Sequence, residues 1–132
     1  MNFEFSAEEK AFVAGVREFL RAERERPDAD DVMNPGREAD AQLADTPARR
    51  AFMRRLADAG YLGMSWGRDY GGQERSGVFD YLLNEELASV GAPLIGKGVG
   101  CIGKTLIAHG SERLKREFLP QILRAEIEFA LG

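Results

Sequence analysis

The sequence predicts an all-α fold, a bundle-like domain of about six helices. Apolar residues recur at helical spacing in separate segments, helix-start signals precede these segments, and glycine or proline follows them. With 132 residues, the chain is long enough for one domain with a sizeable core and too short for two ordinary domains. Residues 127–132 switch to alternating apolar and polar side chains, which predicts the start of a β-strand.

Composition and charge argue against several classes of protein. Hydrophobic residues make up 44% of the chain and charged residues 30%, which is not typical of disordered or collagen-like proteins. The formal net charge of −4 argues against nucleic acid or an anionic membrane as a partner. Cys101 has no second cysteine to pair with, and no apolar run approaches the roughly 20 residues of a membrane span. The acidic N-terminus does not resemble a signal peptide, so we expect a cytoplasmic protein.

Two helices are predicted in the first half of the chain. Ser6 and Glu9 form a capping-box pattern ahead of the first helix, which ends at Pro27. Residues 28–45 are acidic and predict a surface loop with at most a short helical piece. Thr46, followed by proline, begins the second helix. The apolar stripes are Phe12, Val16, Phe19 and Leu20 in the first helix, and Phe52, Met53, Leu56 and Ala57 in the second.

The second helix also carries four arginines that we expect to face mainly away from the core: Arg49, Arg50, Arg54 and Arg55. Such a cluster can bind phosphate, but neither a glycine-rich loop nor a net basic domain supports that interpretation here. A solvated face or a subunit contact is the favoured interpretation.

Residues 56–72 predict a helix exit, a buried crossing and a tight reversal. Gly60 is typical of the residue that follows a helix, because glycine adopts the left-handed conformation without strain. The apolar crossing consists of Tyr61, Leu62, Met64 and Trp66, and the reversal comes after it at residues 70–72. Helices on both sides must therefore fold back over this stretch.

A further helix is predicted over residues 76–90, and Gly91 ends it. Its apolar stripe runs through Val78 or Phe79, Leu82, Leu83, Glu86, Leu87 and Val90. Glu85 and Glu86 are adjacent, so they point about 100° apart and do not form a carboxylate pair for acid–base chemistry. Asn84 and Glu85 are expected on the solvent side.

The fifth helix, predicted over residues 93–109, is unusually rich in glycine. Gly96, Gly98, Gly100 and Gly103 each cost about 0.5–1 kcal/mol relative to alanine inside a helix. They indicate either close helix packing or a wall that faces a ligand, and the sequence leaves both open. The Gly98–Gly103 spacing imitates a dinucleotide-binding fingerprint, but no strand precedes it, so that interpretation is rejected.

Ser111 caps the last predicted helix, and Pro120 is expected to kink or restart it. Its apolar side consists of Leu114, Phe118, Leu119, Ile122 and Leu123. His109 ends the preceding helix and is the one histidine of the sequence. The sequence therefore predicts neither a Cys/His metal site nor a Ser-His-Asp triad.

Four blocks of sequence, taken in order, resemble the N-terminal helical domain of acyl-CoA dehydrogenases. The blocks are residues 6–9, 56–72 (the L-A-D-A-G-Y-L-G … Y-G-G pattern), 85–88 and 108–123. They span most of the chain, and residues 28–45 match least. Residues 127–132, E-F-A-L-G after Ile127, are similar to actinobacterial members.

The resemblance implies a helical domain at residues 1–126, followed by the first residues of a β-domain at 127–132. Whole members dehydrogenate acyl-CoA thioesters: a glutamate removes the α-proton and FAD accepts the β-hydride. The FAD-binding β-domain and the glutamate lie outside these residues in the family. We therefore expect a part of an FAD-dependent acyl-CoA dehydrogenase that is inactive alone and binds FAD only in the intact enzyme.

The resemblance also implies a role for the fifth helix in the wall of the acyl-chain cavity. The candidates for this wall are Leu94, Gly98 and Cys101, flanked by Lys97 and Val99. Glycines remove side-chain volume from the wall, so we expect a bulky acyl group, branched or ring-bearing. We also expect the chain to form a homo-oligomer or to pair with another dehydrogenase chain. The alternative hypothesis is a free-standing helical interaction module or one subunit of a split flavoenzyme.

Overall fold

The structure is a computed structural model that describes residues 4–36 and 43–129. Its helices are α1 (Ala7–Arg24), α2 (Ala29–Val32), α3 (Pro47–Asp58), α4 (Gly77–Ser89), α5 (Gly103–His109) and α6 (Glu112–Leu123). A short 3-10 helix (Arg68–Tyr70) precedes α4, and a π-helical turn (Gly98–Ile102) leads directly into α5. The predicted fold of about six helices is confirmed over the described residues. The predicted strand is not seen at residues 127–129, and residues 130–132 lie outside the described part.

Local capping signals begin the helices where the sequence predicts. Ser6 Oγ accepts a hydrogen bond from the Glu9 N–H at 3.1 Å, and Glu9 Oε2 accepts one from the Ser6 N–H at 3.1 Å. Thr46 and Ser111 cap α3 and α6 by accepting a hydrogen bond from the N–H of Arg49 and of Leu114. These bonds satisfy N–H groups that have no partner within their own helix. The short α2 is the helical piece expected within residues 28–45.

The core lies where α1, α3, α4 and α6 meet over the buried crossing. Gly60 has a φ of +85°, which lets the chain leave α3 and turn inward. Leu62, Met64 and Trp66 then lie buried beneath the helices. The helices contribute Phe12, Val16 and Leu20 from α1, Phe52 and Leu56 from α3, Leu82, Leu83 and Leu87 from α4, and Leu119 and Ile122 from α6.

The prediction that all four arginines of α3 face away from the core is wrong for Arg49, which is fully buried. Its guanidinium donates hydrogen bonds to the carbonyl oxygens of Leu43 at 2.9 Å and Val32 at 2.7 Å. A longer bond of 3.4 Å reaches the Gly91 carbonyl. The helical period brings Arg49 beside these carbonyls, and a guanidinium with five N–H donors satisfies several of them at once.

Arg55 is also drawn inward, whereas Arg50 and Arg54 are exposed as predicted. Arg55 donates three hydrogen bonds to the carboxylate of Glu23 on α1, the shortest at 2.7 Å. Glu23 is itself buried. The pair fixes α3 against the end of α1. Two of the four arginines predicted to face solvent, Arg49 and Arg55, therefore support packing instead.

The fifth helix begins later than predicted, and the position of Asn84 explains why. Residues 93–96 are not helical, and Lys97 is the first helical residue. The Ile95 N–H donates to Asn84 Oδ1 at 2.9 Å. Asn84 is therefore half-buried against this segment rather than on the solvent side, and it holds residues 93–96 in a non-helical path. The helix α6 runs through Pro120 without restarting.

Candidate functional site

The glycine-rich segment contains the most irregular helical geometry of the described chain. Across Gly98–Ile102 the helix is π-helical, and the Gly103 N–H donates to the Gly98 carbonyl five residues earlier. In an α-helix the same N–H would bond to the Val99 carbonyl, four residues earlier. Single π-helical turns are rare in proteins, but those that do occur lie frequently at functional sites. We therefore take this turn as the centre of the candidate site.

Its glycines fall into two groups by what surrounds them. Three of them accept close neighbours: Gly96 lies against the Glu128 carboxyl, Gly98 against Phe129 and Ile122, and Gly103 against the Trp66 ring. At Gly100 a Cβ would meet no atom within 4 Å. Close packing thus explains three glycines, while Gly100 leaves the surface open.

The five predicted wall residues divide between two sides of the segment. Gly98 and Val99 are buried and Leu94 is half-buried against the core, whereas Lys97 and Cys101 are exposed. We call the exposed side the outer face and define it as Lys97, Gly100, Cys101 and Lys104. The structure brings only two of the predicted residues onto this face.

Trp66 supports the π-helical turn from beneath, a role that sequence reasoning missed. Its indole Nε1–H donates to the Val99 carbonyl oxygen at 3.2 Å. The side chain is 2% exposed, so its ring belongs to the core. A signal did exist in the sequence: the one tryptophan lies between Gly63 and Gly67, and such glycines allow close approach to a large ring.

Residues 127–129 cover the inner side of the same turn. Phe129 packs against Gly98, and the carboxyl of Glu128 lies beside Gly96. Partial burial of this carboxyl raises the pKa of Glu128, and a backbone hydrogen bond with Phe129 opposes the shift. The cavity that remains here is about 20 Å³, the size of one water. Over residues 43–129 the inner side is therefore closed, and the outer face is the side of the turn that is open to a ligand.

Two open grooves flank α1, and an ion pair between Arg17 and Glu86 spans the larger of them. The larger, about 680 Å³, lies between α1 and α4 beside the exposed Phe5 and Tyr81. Across it Arg17 makes two hydrogen bonds to Glu86, at 3.0 and 3.1 Å. Arg17 and Glu86 therefore compensate each other's charge within the larger groove.

Metal chemistry has no support in the part of the chain that the structure describes. Within residues 4–36 and 43–129, no group of three or more histidine, cysteine, aspartate or glutamate side chains could hold a metal ion. Over the same ranges no helix has the length and apolar character needed to cross a membrane. The outer face carries two lysines and one thiol.

Capped helices folded over a buried crossing, with a glycine-rich helix behind them, define the helical type of domain that begins acyl-CoA dehydrogenases. The family model described as acyl-CoA dehydrogenase, N-terminal domain, matches residues 6–126. The chain belongs to this family, whose members are FAD flavoproteins of lipid metabolism.

Its curated relatives include dehydrogenases of Mycobacterium tuberculosis. Acyl-CoA dehydrogenase FadE29 is 38% identical over 86 residues, which is 65% of this chain and 22% of FadE29. Acyl-CoA dehydrogenase IpdE1 is 38% identical over 90 residues, 67% of this chain and 22% of IpdE1. These relatives confirm the predicted resemblance to actinobacterial members. The chain spans about a fifth of the length of the curated relatives that it matches.

Solved structures share the fold over nearly all of the chain. The "Tcur3481-Tcur3483 steroid ACAD" is 31% identical with a TM-score of 0.81, and the match covers 100% of this chain and 33% of that one. The ChsE4-ChsE5 complex from Mycobacterium tuberculosis is 23% identical with a TM-score of 0.75, over 97% of this chain and 30% of that one. The second likeness shows the fold alone.

Proposed function

We propose that this chain is the N-terminal domain of an FAD-dependent enzyme that dehydrogenates an acyl-CoA thioester between its α and β carbons. In that whole enzyme it shapes one wall of the acyl pocket and contributes to subunit packing. The observation that carries the proposal is the family match over residues 6–126, since it includes every described helix. Residues 1–126 form the helical domain and 127–132 begin the next, β-stranded one.

The outer face is the part of the proposed wall that meets the acyl group. Lys97 and Cys101 are exposed there, and Gly100 between them contributes only hydrogen. Leu94, Gly98 and Val99 act from behind, since they are buried or half-buried against the core. A wall with a gap at its centre leaves volume for a wide substrate.

The substrate class we propose is a bulky acyl-CoA with a branched or ring-bearing acyl group. Two observations support it: the open space at Gly100, and a solved neighbour described as a steroid ACAD at 31% identity. In the whole enzyme, Gly100→Leu should reduce kcat/KM for a ring-bearing thioester at least about tenfold and spare butyryl-CoA, because the added side chain fills the gap. Gly77→Ala is the control, since a Cβ at Gly77 also meets no atom within 4 Å and the site is remote from the outer face. A wild-type preference for butyryl- or octanoyl-CoA would contradict this substrate class.

FAD, when bound in the whole enzyme, accepts a hydride from the substrate. The described residues contain no strand leading into a glycine-rich turn, one arrangement that holds a dinucleotide's pyrophosphate, and the proposal places the flavin in the β-domain of the whole enzyme. This chain alone should therefore not bind FAD, and titration followed by flavin fluorescence and calorimetry tests that. Micromolar or tighter binding would mean that the chain completes a flavin site by itself or by self-assembly.

Pairing with a second, different dehydrogenase chain is the candidate arrangement for the whole enzyme. It is favoured because the solved neighbour at 31% identity carries two chain names. Light scattering of the whole enzyme, expressed with and without the product of an adjacent dehydrogenase gene, tests this arrangement. A homogeneous homo-oligomer with full activity alone would favour the homo-oligomer instead.

A further inference from the structure

We propose that Trp66 is a positioning residue, which holds the π-helical turn and so sets how the outer face is presented to the acyl group. The consequence for the substrate rests on the function proposed above, whereas the effect on the turn does not. Trp66 lies on the inner side, where it donates to the Val99 carbonyl and packs against Gly103. Its influence passes through the helix backbone.

The π-helical turn changes which donor bonds to the Val99 carbonyl. In an α-helix the Val99 carbonyl would accept the N–H of Gly103. Here that N–H goes to Gly98, and the Val99 carbonyl accepts the indole N–H of Trp66 at 3.2 Å. A buried carbonyl without a donor costs free energy, so the indole compensates for the bond that the π-helical turn displaces.

The Trp66 ring also packs so closely on Gly103 that it leaves no room for a side chain there. A Cβ at Gly103 would overlap ring carbons Cζ2 and Cη2 of Trp66. The ring is enclosed in the core: it is 2% exposed, Gly63 lies against the same indole and Gly72 lies against the Trp66 backbone. The ring thus occupies a fixed place, and the helix backbone at Gly103 adapts to it.

The consequence is rotational. A π-helical turn contains one more residue than a turn of α-helix. The residues after it are therefore rotated by about 100° from the positions they would have in an uninterrupted α-helix. Lys97 lies at the start of this turn and Lys104 just after its end. In an uninterrupted α-helix Lys97 and Lys104 would share one face, because residues seven apart nearly align. Loss of the turn would therefore change the relative positions of Lys97 and Lys104 and turn Cys101 relative to Trp66.

The chain offers a direct probe, since it has one tryptophan and one cysteine, Trp66 and Cys101. Bimane attached to Cys101 is quenched by tryptophan only at short distance. We compare Gly103→Ala, which introduces the overlap, with Gly100→Ala, a matched change in the same turn that meets open space. Quenching should change at least about twofold in Gly103→Ala, given the rotation of about 100°, and stay as in the wild type in Gly100→Ala.

A second variant keeps the test decisive if Gly103→Ala does not fold. Trp66→Phe removes the donor to Val99 and adds no atom near Gly103. Its helix content should persist while the rate of Cys101 with a disulfide reagent changes at least about twofold. Unchanged quenching in folded Gly103→Ala, or an unchanged thiol rate in Trp66→Phe, would mean that Trp66 only fills the core, and the proposal would be overturned.

The effect on substrate is measured separately in the whole enzyme. Gly103→Ala should alter the ratio of kcat/KM for ring-bearing and straight-chain acyl-CoA, and the remote Gly77→Ala should leave it unchanged. A changed probe signal with an unchanged ratio would support the role of Trp66 in the turn and contradict the proposed acyl wall. The two failures are therefore distinguishable.

Discussion

At the scale of single residues, Arg49 holds together segments that are far apart in sequence. Its guanidinium bonds to the carbonyls of Val32, Leu43 and Gly91, at the ends of α2, the approach to α3 and the exit from α4. Replacement by an apolar residue removes the Arg49 donor to the buried Val32 carbonyl, whereas the Gly91 carbonyl keeps a hydrogen bond from the Asn34 N–H at 3.1 Å. The cost of leaving a buried acceptor without a donor is the full desolvation of the carbonyl, which exceeds the net gain from an average hydrogen bond.

We expect Arg49→Met to lower the free energy of unfolding by about 2–4 kcal/mol. Arg50→Met is the matched control on the same helix, and because Arg50 is exposed its effect should stay within about 0.5 kcal/mol. Urea titration followed by circular dichroism measures both. Equal effects in the two variants would contradict the role assigned to Arg49.

Glu128 should make stability fall as pH rises. Burial raises its pKa above the ordinary value of 4.5, so the folded chain binds this proton more tightly than the unfolded chain does. The stability gained from protonation is present below that value and is lost as pH rises through the raised pKa. Glu128→Gln should remove this part of the dependence, which urea titrations over pH 4 to about 7 would detect.

Glu126 supplies a control of opposite sign. A hydrogen bond from Arg124 lowers the pKa of Glu126, opposed by desolvation, so its contribution is present above the ordinary value and is lost as pH falls. Glu126→Gln should therefore weaken the loss of stability as pH falls. Glu128→Gln should instead weaken the loss of stability as pH rises toward neutral. Parallel pH profiles for the wild type and Glu128→Gln would contradict the burial of the Glu128 carboxyl.

At the scale of elements, packing requires the other glycines around the π-helical turn but does not require Gly100. Gly100→Ala should raise the free energy of unfolding by about 0.5–1 kcal/mol, because the Cβ meets open space and the unfolded chain loses freedom. Gly98→Ala should lower it, since its Cβ would lie 3.3 Å from Phe129 and 3.4 Å from Ile122. Thermal unfolding of both variants tests the pair, and effects of the same sign would contradict this division of the glycines.

How far an element could be predicted depended on where its causes lie. The starts of α1, α3 and α6 depend on Ser6, Thr46 and Ser111, whose bonds reach only three residues ahead, so the sequence contained them. The late start of the fifth helix depends on Asn84, eleven residues away from Ile95. Periodicity within one segment carries no information about such a contact.

The candidate site shows the same limit. Glycine content indicated an unusual helix, but not the π-helical turn, because the bond from Trp66 to Val99 joins residues 33 positions apart. The predicted wall set mixes exposed residues with buried Gly98 and Val99, because Lys97, Gly98 and Val99 are consecutive and point about 100° apart on a helix. The burial of Arg49 also depends on carbonyls from distant segments, which no helical wheel displays.

At the scale of the whole molecule, the described helices share one contiguous core. The cluster runs from Phe12 and Val16 of α1 through Leu83 of α4 to Trp66 and Ile122. No described helix has an apolar cluster of its own, apart from the others. Because each helix buries its stripe against the same side chains, loss of one should expose the rest.

We therefore expect the chain to unfold in one cooperative transition. Trp66 reports on the crossing beneath α5, whereas circular dichroism reports on all helices, so their urea midpoints should coincide. Leu83→Ala, at a fully buried site on α4 far along the chain from Trp66, should cost about 2–5 kcal/mol and shift both curves together. Shifting of the dichroism curve alone would mean that the π-helical turn and α6 unfold as a separate unit. Trp66 would then position the outer face without support from the α1–α4 core, and the domain would be less rigid than its shared core implies.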